Sequence, residues 1–149
     1  MSLEKLINDD IKTAMRAKDK KTLEALRAVK AAILLEKTGK GASGEMAEDV
    51  EMKILQKLVK QRKESAELFK SQGRDDLVVD EEFQYNVISK YLPEQMGEDE
   101  IKGIIEGIIS ETGASSMKDM GRVMGMAAKK LAGKADNKLI STIVKTLLS

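Results

Sequence analysis

The sequence contains no cysteine, no histidine and no tryptophan. Without cysteine there can be no disulfide, no thiolate nucleophile and no cysteine metal ligand. Without histidine the chain lacks both the commonest general base and the commonest nitrogen ligand for a metal. We therefore expect neither a metal ion nor a cofactor, and we expect no catalytic residues.

Proline and aromatic residues are also scarce, with one proline, two phenylalanines and two tyrosines among 149 residues. A core without aromatics must consist of Leu, Ile, Val, Met and Ala, and the near absence of proline favours long helices. The sequence has no apolar run of the roughly 20 residues that cross a bilayer, and no signal peptide is recognisable. These absences predict a cytoplasmic protein that does not enter a membrane.

Charge is nearly balanced overall, at +1, but it is distributed unevenly. From Gly97 to Ser116 there are five acidic residues and one basic residue. From Met117 to Ser149 there are seven basic residues and two acidic ones. The last stretch of the chain is therefore the part that would attract a polyanion.

The apolar residues recur at helical spacing along most of the chain, and no segment alternates as a strand would. The fold class predicted from this pattern is all-α, with an N-terminal four-helix unit over residues 1–93 and a C-terminal three-helix unit over residues 94–149. Pro93 marks the boundary, because the residue before a proline disfavours helix. The glycine-rich stretch from Thr38 to Gly44 predicts a loop, and its spacing does not match a Walker A motif.

The helix predicted after Ser116 divides into two faces at 100° per residue. Its apolar side is predicted to face the core and comprises Met117, Met120, Met124, Ala127, Ala128 and Leu131. The opposite side carries Lys118, Arg122 and Lys129 together with Gly121 and Gly125. Three further lysines flank this basic side: Lys130, Lys134 and Lys138.

The basic side has two interpretations. Lysine and arginine neutralise phosphates and release counterions, and bare glycine backbone allows a polyanion to approach closely, so these eight residues are candidate nucleic-acid contacts. Alternatively, the charges are a solvated helix face, and the glycines let a neighbouring helix pack closely. Each exposed glycine costs a helix roughly 1 kcal/mol relative to alanine, so either interpretation needs something to approach this surface.

Two other features have similar alternatives. The row Lys53, Lys57, Lys60 and Lys63 is either a second RNA contact or a solvated face with glutamates four residues away. The Ser115-Ser116 pair either presents free backbone amides to an anion or is an ordinary helix cap.

Several strings in this chain resemble the YqeY family: RKESAELF, GRDDL, KYLPEQM and GASSMKDMGRVMG, followed by closing helices that read MGRVMGMAAKKLAGKADNKLISTIVKTLL. That family is similar to the C-terminal tail domain of the glutamyl/aspartyl-tRNA amidotransferase. The resemblance implies an accessory module that contacts tRNA and is linked to glutamine-dependent amide transfer, a carbon–nitrogen ligase reaction, without catalysing it. The implied partners are tRNA or a protein of aminoacyl-tRNA metabolism. The alternative is a helical protein–protein adaptor that does not bind RNA.

Overall fold

The computed structural model describes residues 2–39 and 46–149, and the fold of this part of the chain is all-α, as predicted. Its seven α-helices, in chain order, are α1 (Leu3–Arg16), α2 (Lys20–Gly39), α3 (Glu48–Ser71), α4 (Asp75–Ser89), α5 (Glu98–Thr112), α6 (Met120–Lys130) and α7 (Asn137–Leu148). One 3-10 turn, Met117–Asp119, precedes α6. Most of the predicted glycine-rich loop, residues 40–44, lies outside the described residues.

Side-chain caps and a left-handed glycine explain where several helices begin and end. The hydroxyl of Ser2 accepts a hydrogen bond from the backbone N–H of Lys5 at 3.2 Å and caps α1. The carboxylate of Asp19 accepts from both the N–H and the hydroxyl of Thr22 at the start of α2. Gly113 follows α5 with φ of 69°, a conformation in which a side chain would be strained. These contacts act within a few residues of the helix ends that they fix.

The chain divides into two compact units, Met1–Leu92 and Pro93–Ser149, which we call unit 1 and unit 2. In unit 1, helix α2 contacts α1, α3 and α4, and α3 packs along α4. The backbone N–H of Leu3 donates to the carboxylate of Glu51 at 2.8 Å, which joins the start of α1 to α3. The buried core is entirely apolar: Leu3, Ile7, Ala14, Ala25, Leu26, Val29, Ile33, Leu55, Val59, Val87 and Ile88.

In unit 2 the three helices α5, α6 and α7 contact one another around a separate aliphatic core. Isoleucines that recur at helical spacing along α5 provide much of it, because Ile101, Ile105 and Ile108 are fully buried. Helix α6 contributes Val123 and Ala127, and the rest of the core comes from α7 and the loops: Ala114, Leu131, Ala135, Ile140, Ile143, Val144 and Leu148. This packing leaves the polar sides of all three helices in solvent.

The half-buried Tyr91 links the segment after α4 to α1, because its hydroxyl donates a hydrogen bond to the carboxylate of Asp10. Burial and the neighbouring carboxylate both raise the pKa of Tyr91, because each disfavours the phenolate. The pKa of Tyr91 is higher in the folded protein than the value of about 10 expected for an unfolded tyrosine. The protonated hydroxyl therefore contributes its full stabilisation below about pH 10, and this contribution is lost as the pH rises from about 10 toward the raised pKa of the folded state.

We expect Tyr91→Phe to lower the free energy of unfolding by about 1–2 kcal/mol at neutral pH, since a hydrogen bond to a charged acceptor is lost. The difference from wild type should shrink above about pH 10, where the unfolded wild-type tyrosine ionises. Urea unfolding of both proteins at the two pH values checks this. A difference that stays constant with pH would contradict the assigned hydrogen bond.

Candidate nucleic-acid interface

The inward side of α6 is formed by Val123 and Ala127, both fully buried, and is continued by Leu131 just after the helix. The predicted methionine stripe is therefore only partly right. Met120 and Met124 are half-buried against the core, whereas Met117 is 46% exposed. Met117 lies in the 3-10 turn, where three residues complete a turn instead of 3.6, so its direction does not follow the α-helical stripe.

The opposite side of α6 carries the exposed residues Gly121, Arg122, Gly125 and Lys129, which we call the outer face of α6. A Cβ built on Gly121 or Gly125 would meet no heavy atom within 4 Å. No helix in the described residues therefore packs on these glycines. The backbone of the outer face is open to a ligand or to another protein.

Arg122 is the cation of this face that has partners. Its Nη2 atom lies 3.4 Å from the carboxylate of Asp119 and 3.4 Å from the carbonyl oxygen of Thr112, the last residue of α5. Exposed ion pairs of this kind contribute only about 0–1 kcal/mol to the free energy of folding. The two contacts nevertheless orient the guanidinium group of Arg122. The i, i+3 spacing of Asp119 and Arg122 is a signal from which this pair could have been predicted.

Four predicted contact residues are exposed lysines without an ion pair to any described carboxylate: Lys118, Lys129, Lys134 and Lys138. Lys118 lies in the 3-10 turn, Lys129 in the last turn of α6, Lys134 in the loop after α6 and Lys138 in the first turn of α7. Since nothing in the described chain neutralises them, they are free to bind phosphates.

Lys130 is not part of the outer face of α6. Its Nζ atom lies 3.8 Å from the carboxylate of Glu111, so the side chain extends toward α5. Both side chains are more than half exposed. Because the two residues are 19 positions apart in the sequence, no local sequence pattern predicts this pair. Of the eight predicted residues, Lys130 is thus placed away from the four that form the outer face.

The loop that carries Lys134 is held to the connector after Pro93. The side-chain amide of Gln95 donates to the carbonyl oxygen of Gly133 at 2.7 Å. The backbone N–H of Met96 donates to the carbonyl oxygen of Lys134 itself at 3.0 Å. These two bonds fix the backbone of the basic loop, so Lys134 needs to order only its side chain to bind an anion.

The other candidate sites include residues that already have contacts within the protein. The N–H of Ser115 already donates to Asp119 at 3.0 Å, and the N–H of Lys118 donates to Ser116 at 3.4 Å, so the capping interpretation applies there. On α3, the Nζ atom of Lys63 lies 5.5 Å from the centroid of the Tyr85 ring, so this lysine makes a cation–π contact. Within residues 2–39 and 46–149 there is no cluster of three or more potential metal ligands.

Membrane insertion has no candidate in the part of the chain that the structure describes. None of its helices is long and apolar enough to span a bilayer.

We expect Gly125→Ala to raise the free energy of unfolding by about 0.5–1 kcal/mol, because the helix gains a residue of higher propensity in open space. Gly107→Ala on α5 is the matched control, since Gly107 is also helical, exposed and without neighbours within 4 Å. Both variants should be stabilised, and an RNA that binds on the outer face of α6 would lose affinity only for Gly125→Ala. Urea unfolding and fluorescence anisotropy with labelled tRNA measure the two effects. Unchanged affinity would show that the backbone at Gly125 is not approached.

Two all-α units, one with an open, glycine-containing helix face and several exposed lysines, define a small helical protein with a surface suited to a polyanion. The chain belongs to the YqeY-like family, whose model, described as Yqey-like protein, matches residues 4–148. It is similar to altered inheritance of mitochondria protein 41, mitochondrial, of Pyrenophora tritici-repentis, with 30% identity over 93% of this chain and 77% of the relative. The protein of the same name in Saccharomyces cerevisiae strain YJM789 is 28% identical over 95% of this chain and 74% of its own length.

These relatives correct one expectation from the sequence. Both are named as mitochondrial proteins. The prediction of a cytoplasmic location is therefore wrong, because the relatives that this chain resembles carry mitochondrial names. The prediction was based on the absence of a recognisable targeting segment, and such an absence is weak evidence about location.

Proposed function

We propose that this protein is a non-catalytic accessory module that binds tRNA through the outer face of α6 and the lysines around it. The observation that carries the proposal is the open glycine backbone on the outer face of α6, together with exposed lysines in and near that helix that have no ion pair with a described carboxylate. The resemblance of the closing helices to the tail domain of the tRNA amidotransferase supports tRNA as the ligand. The relatives' names mention no ligand, so the proposal depends on the surface and on that resemblance.

The electrostatics of the surface agree with a phosphate ligand. Lys118, Lys129, Lys134 and Lys138 are exposed cations, and each phosphate that they neutralise releases condensed counterions. The glycines at positions 121 and 125 add no side chain that would hold the phosphates away. A link to glutamine-dependent amide transfer on tRNA would then come from delivering or holding the tRNA, with the reaction performed by another protein.

A second candidate function is a helical adaptor that receives a partner helix on the outer face of α6 and binds no RNA. The observation in its favour is the same pair of open glycines, since small residues let two helices approach closely. Such an interface would rely on apolar contacts and would respond little to salt.

A salt titration separates the two candidates. The full chain is titrated against fluorescently labelled tRNA at a series of salt concentrations, with anisotropy as the readout. Four neutralised phosphates predict a slope of log Kd against log salt of between about 3 and 4. Absence of binding even at low salt would exclude the tRNA proposal and leave the adaptor.

A further inference from the structure

Unit 2 contains no aromatic residue, and this limits the kind of RNA that it can recognise. All four aromatics of the chain, Phe69, Phe83, Tyr85 and Tyr91, precede Pro93. They are half-buried in unit 1, where three of them pack against its core. Proteins that bind single-stranded RNA stack its bases on aromatic side chains, and each stacked base strengthens binding roughly 5- to 150-fold. Unit 2 itself provides no such platform.

Unit 2 also has only one arginine with which to read base edges. Bidentate recognition of guanine depends on arginine above all, and Arg122 is the sole arginine after Pro93. Its guanidinium group is already directed toward Asp119 and the carbonyl oxygen of Thr112. The remaining cations are lysines, whose compact point charge suits phosphates and lacks the planar fork of arginine.

We infer that the ligand of this surface is the sugar–phosphate backbone of a double-helical RNA stem, and not the bases of a single strand. This inference rests on the proposed function and specifies its substrate class. Double-stranded RNA is recognised mainly by shape and by contacts to phosphates and 2′-hydroxyls, which needs neither stacking nor base readout. The open backbone at Gly121 and Gly125 lets a stem come close enough for Lys118 and Lys129 to reach its phosphates.

The test compares two RNA probes with equal numbers of phosphates: a blunt duplex of about 16 base pairs and an unstructured, uridine-rich single strand of about 32 nucleotides. The slope of log Kd against log salt is about 0.9 per neutralised phosphate for a duplex and about 0.7 for a single strand. For two probes that bind equally at about 1 M salt, four lysine contacts therefore favour the duplex by about 10-fold at about 50 mM salt. Anisotropy titrations of the full chain with both probes and with tRNA provide the dissociation constants.

The outcomes distinguish this inference from the proposed function. A duplex preference that disappears in Lys118→Glu/Lys129→Glu/Lys134→Glu supports it. Equal or tighter binding of the single strand overturns the stem inference but leaves tRNA binding standing. Failure of all three RNAs to bind overturns both. A duplex preference that the triple variant retains would place the stem on another surface and would also overturn it.

Discussion

The variant Lys118→Glu/Lys129→Glu/Lys134→Glu is expected to bind tRNA at least 100-fold more weakly than the wild type at about 0.1 M salt. Each of the three lysines is exposed and has no ion pair with a described carboxylate. Reversing them removes three counterion-releasing contacts and adds three repulsive charges. Arg122 is deliberately left in place, because its contacts with Asp119 and Thr112 would be lost as well. Anisotropy titration with labelled tRNA measures the loss.

The matched control is Lys12→Glu/Lys70→Glu/Lys90→Glu in unit 1. These lysines are likewise exposed, and the substitutions change the net charge by the same amount. The control measures the loss that is due to net charge alone, because none of the three is a candidate RNA contact. Circular dichroism verifies that both variants remain helical. If the two variants bind equally well, the outer face of α6 is not the binding site.

The second large effect is expected at the core of unit 2, where Ile105→Ala should lower the free energy of unfolding by about 2–5 kcal/mol. Ile105 is fully buried between Ile101 and Ile108 and lies within the cluster that includes Val123 and Leu131. Removing three carbons leaves a cavity that a small core can fill only partly. Small units bury a low fraction of their surface, so the loss is large relative to their total stability.

Leu35→Ala on α2 is the control for the loss of a large aliphatic side chain from a helix, because Leu35 is 73% exposed. Its expected effect on the free energy of unfolding lies within about 0.5 kcal/mol. Urea unfolding followed by far-UV circular dichroism compares the two. Similar losses for both variants would contradict the assignment of Ile105 to the core.

Much of the fold could be predicted from the sequence because it depends on local signals. The isoleucines of α5 recur at helical spacing, and three of the five proved fully buried. The caps at Ser2 and Asp19 and the glycine at position 113 also act within a few residues. Spacing and capping are short-range physics, so one sequence is sufficient to predict them.

The candidate site was predictable in part. The exposure of the basic side of α6 followed from its helical periodicity. The 3-10 turn before α6 did not, and it placed Met117 outside the predicted stripe while Val123 took a core position. The pairing of Lys130 with Glu111 depends on how α5 packs against the end of α6, which no local pattern encodes.

The central claim, that RNA contacts the outer face of α6, is tested most directly by NMR of the ¹⁵N-labelled chain during titration with tRNA. The amide signals of Gly121 and Gly125 should shift progressively as tRNA is added. Gly103 and Gly107 on α5 are internal controls, because they too are exposed helical glycines without neighbours within 4 Å, and their signals should move far less. Shifts at Gly103 and Gly107 with none at Gly121 and Gly125, or no shifts at all at low salt, would contradict the claim.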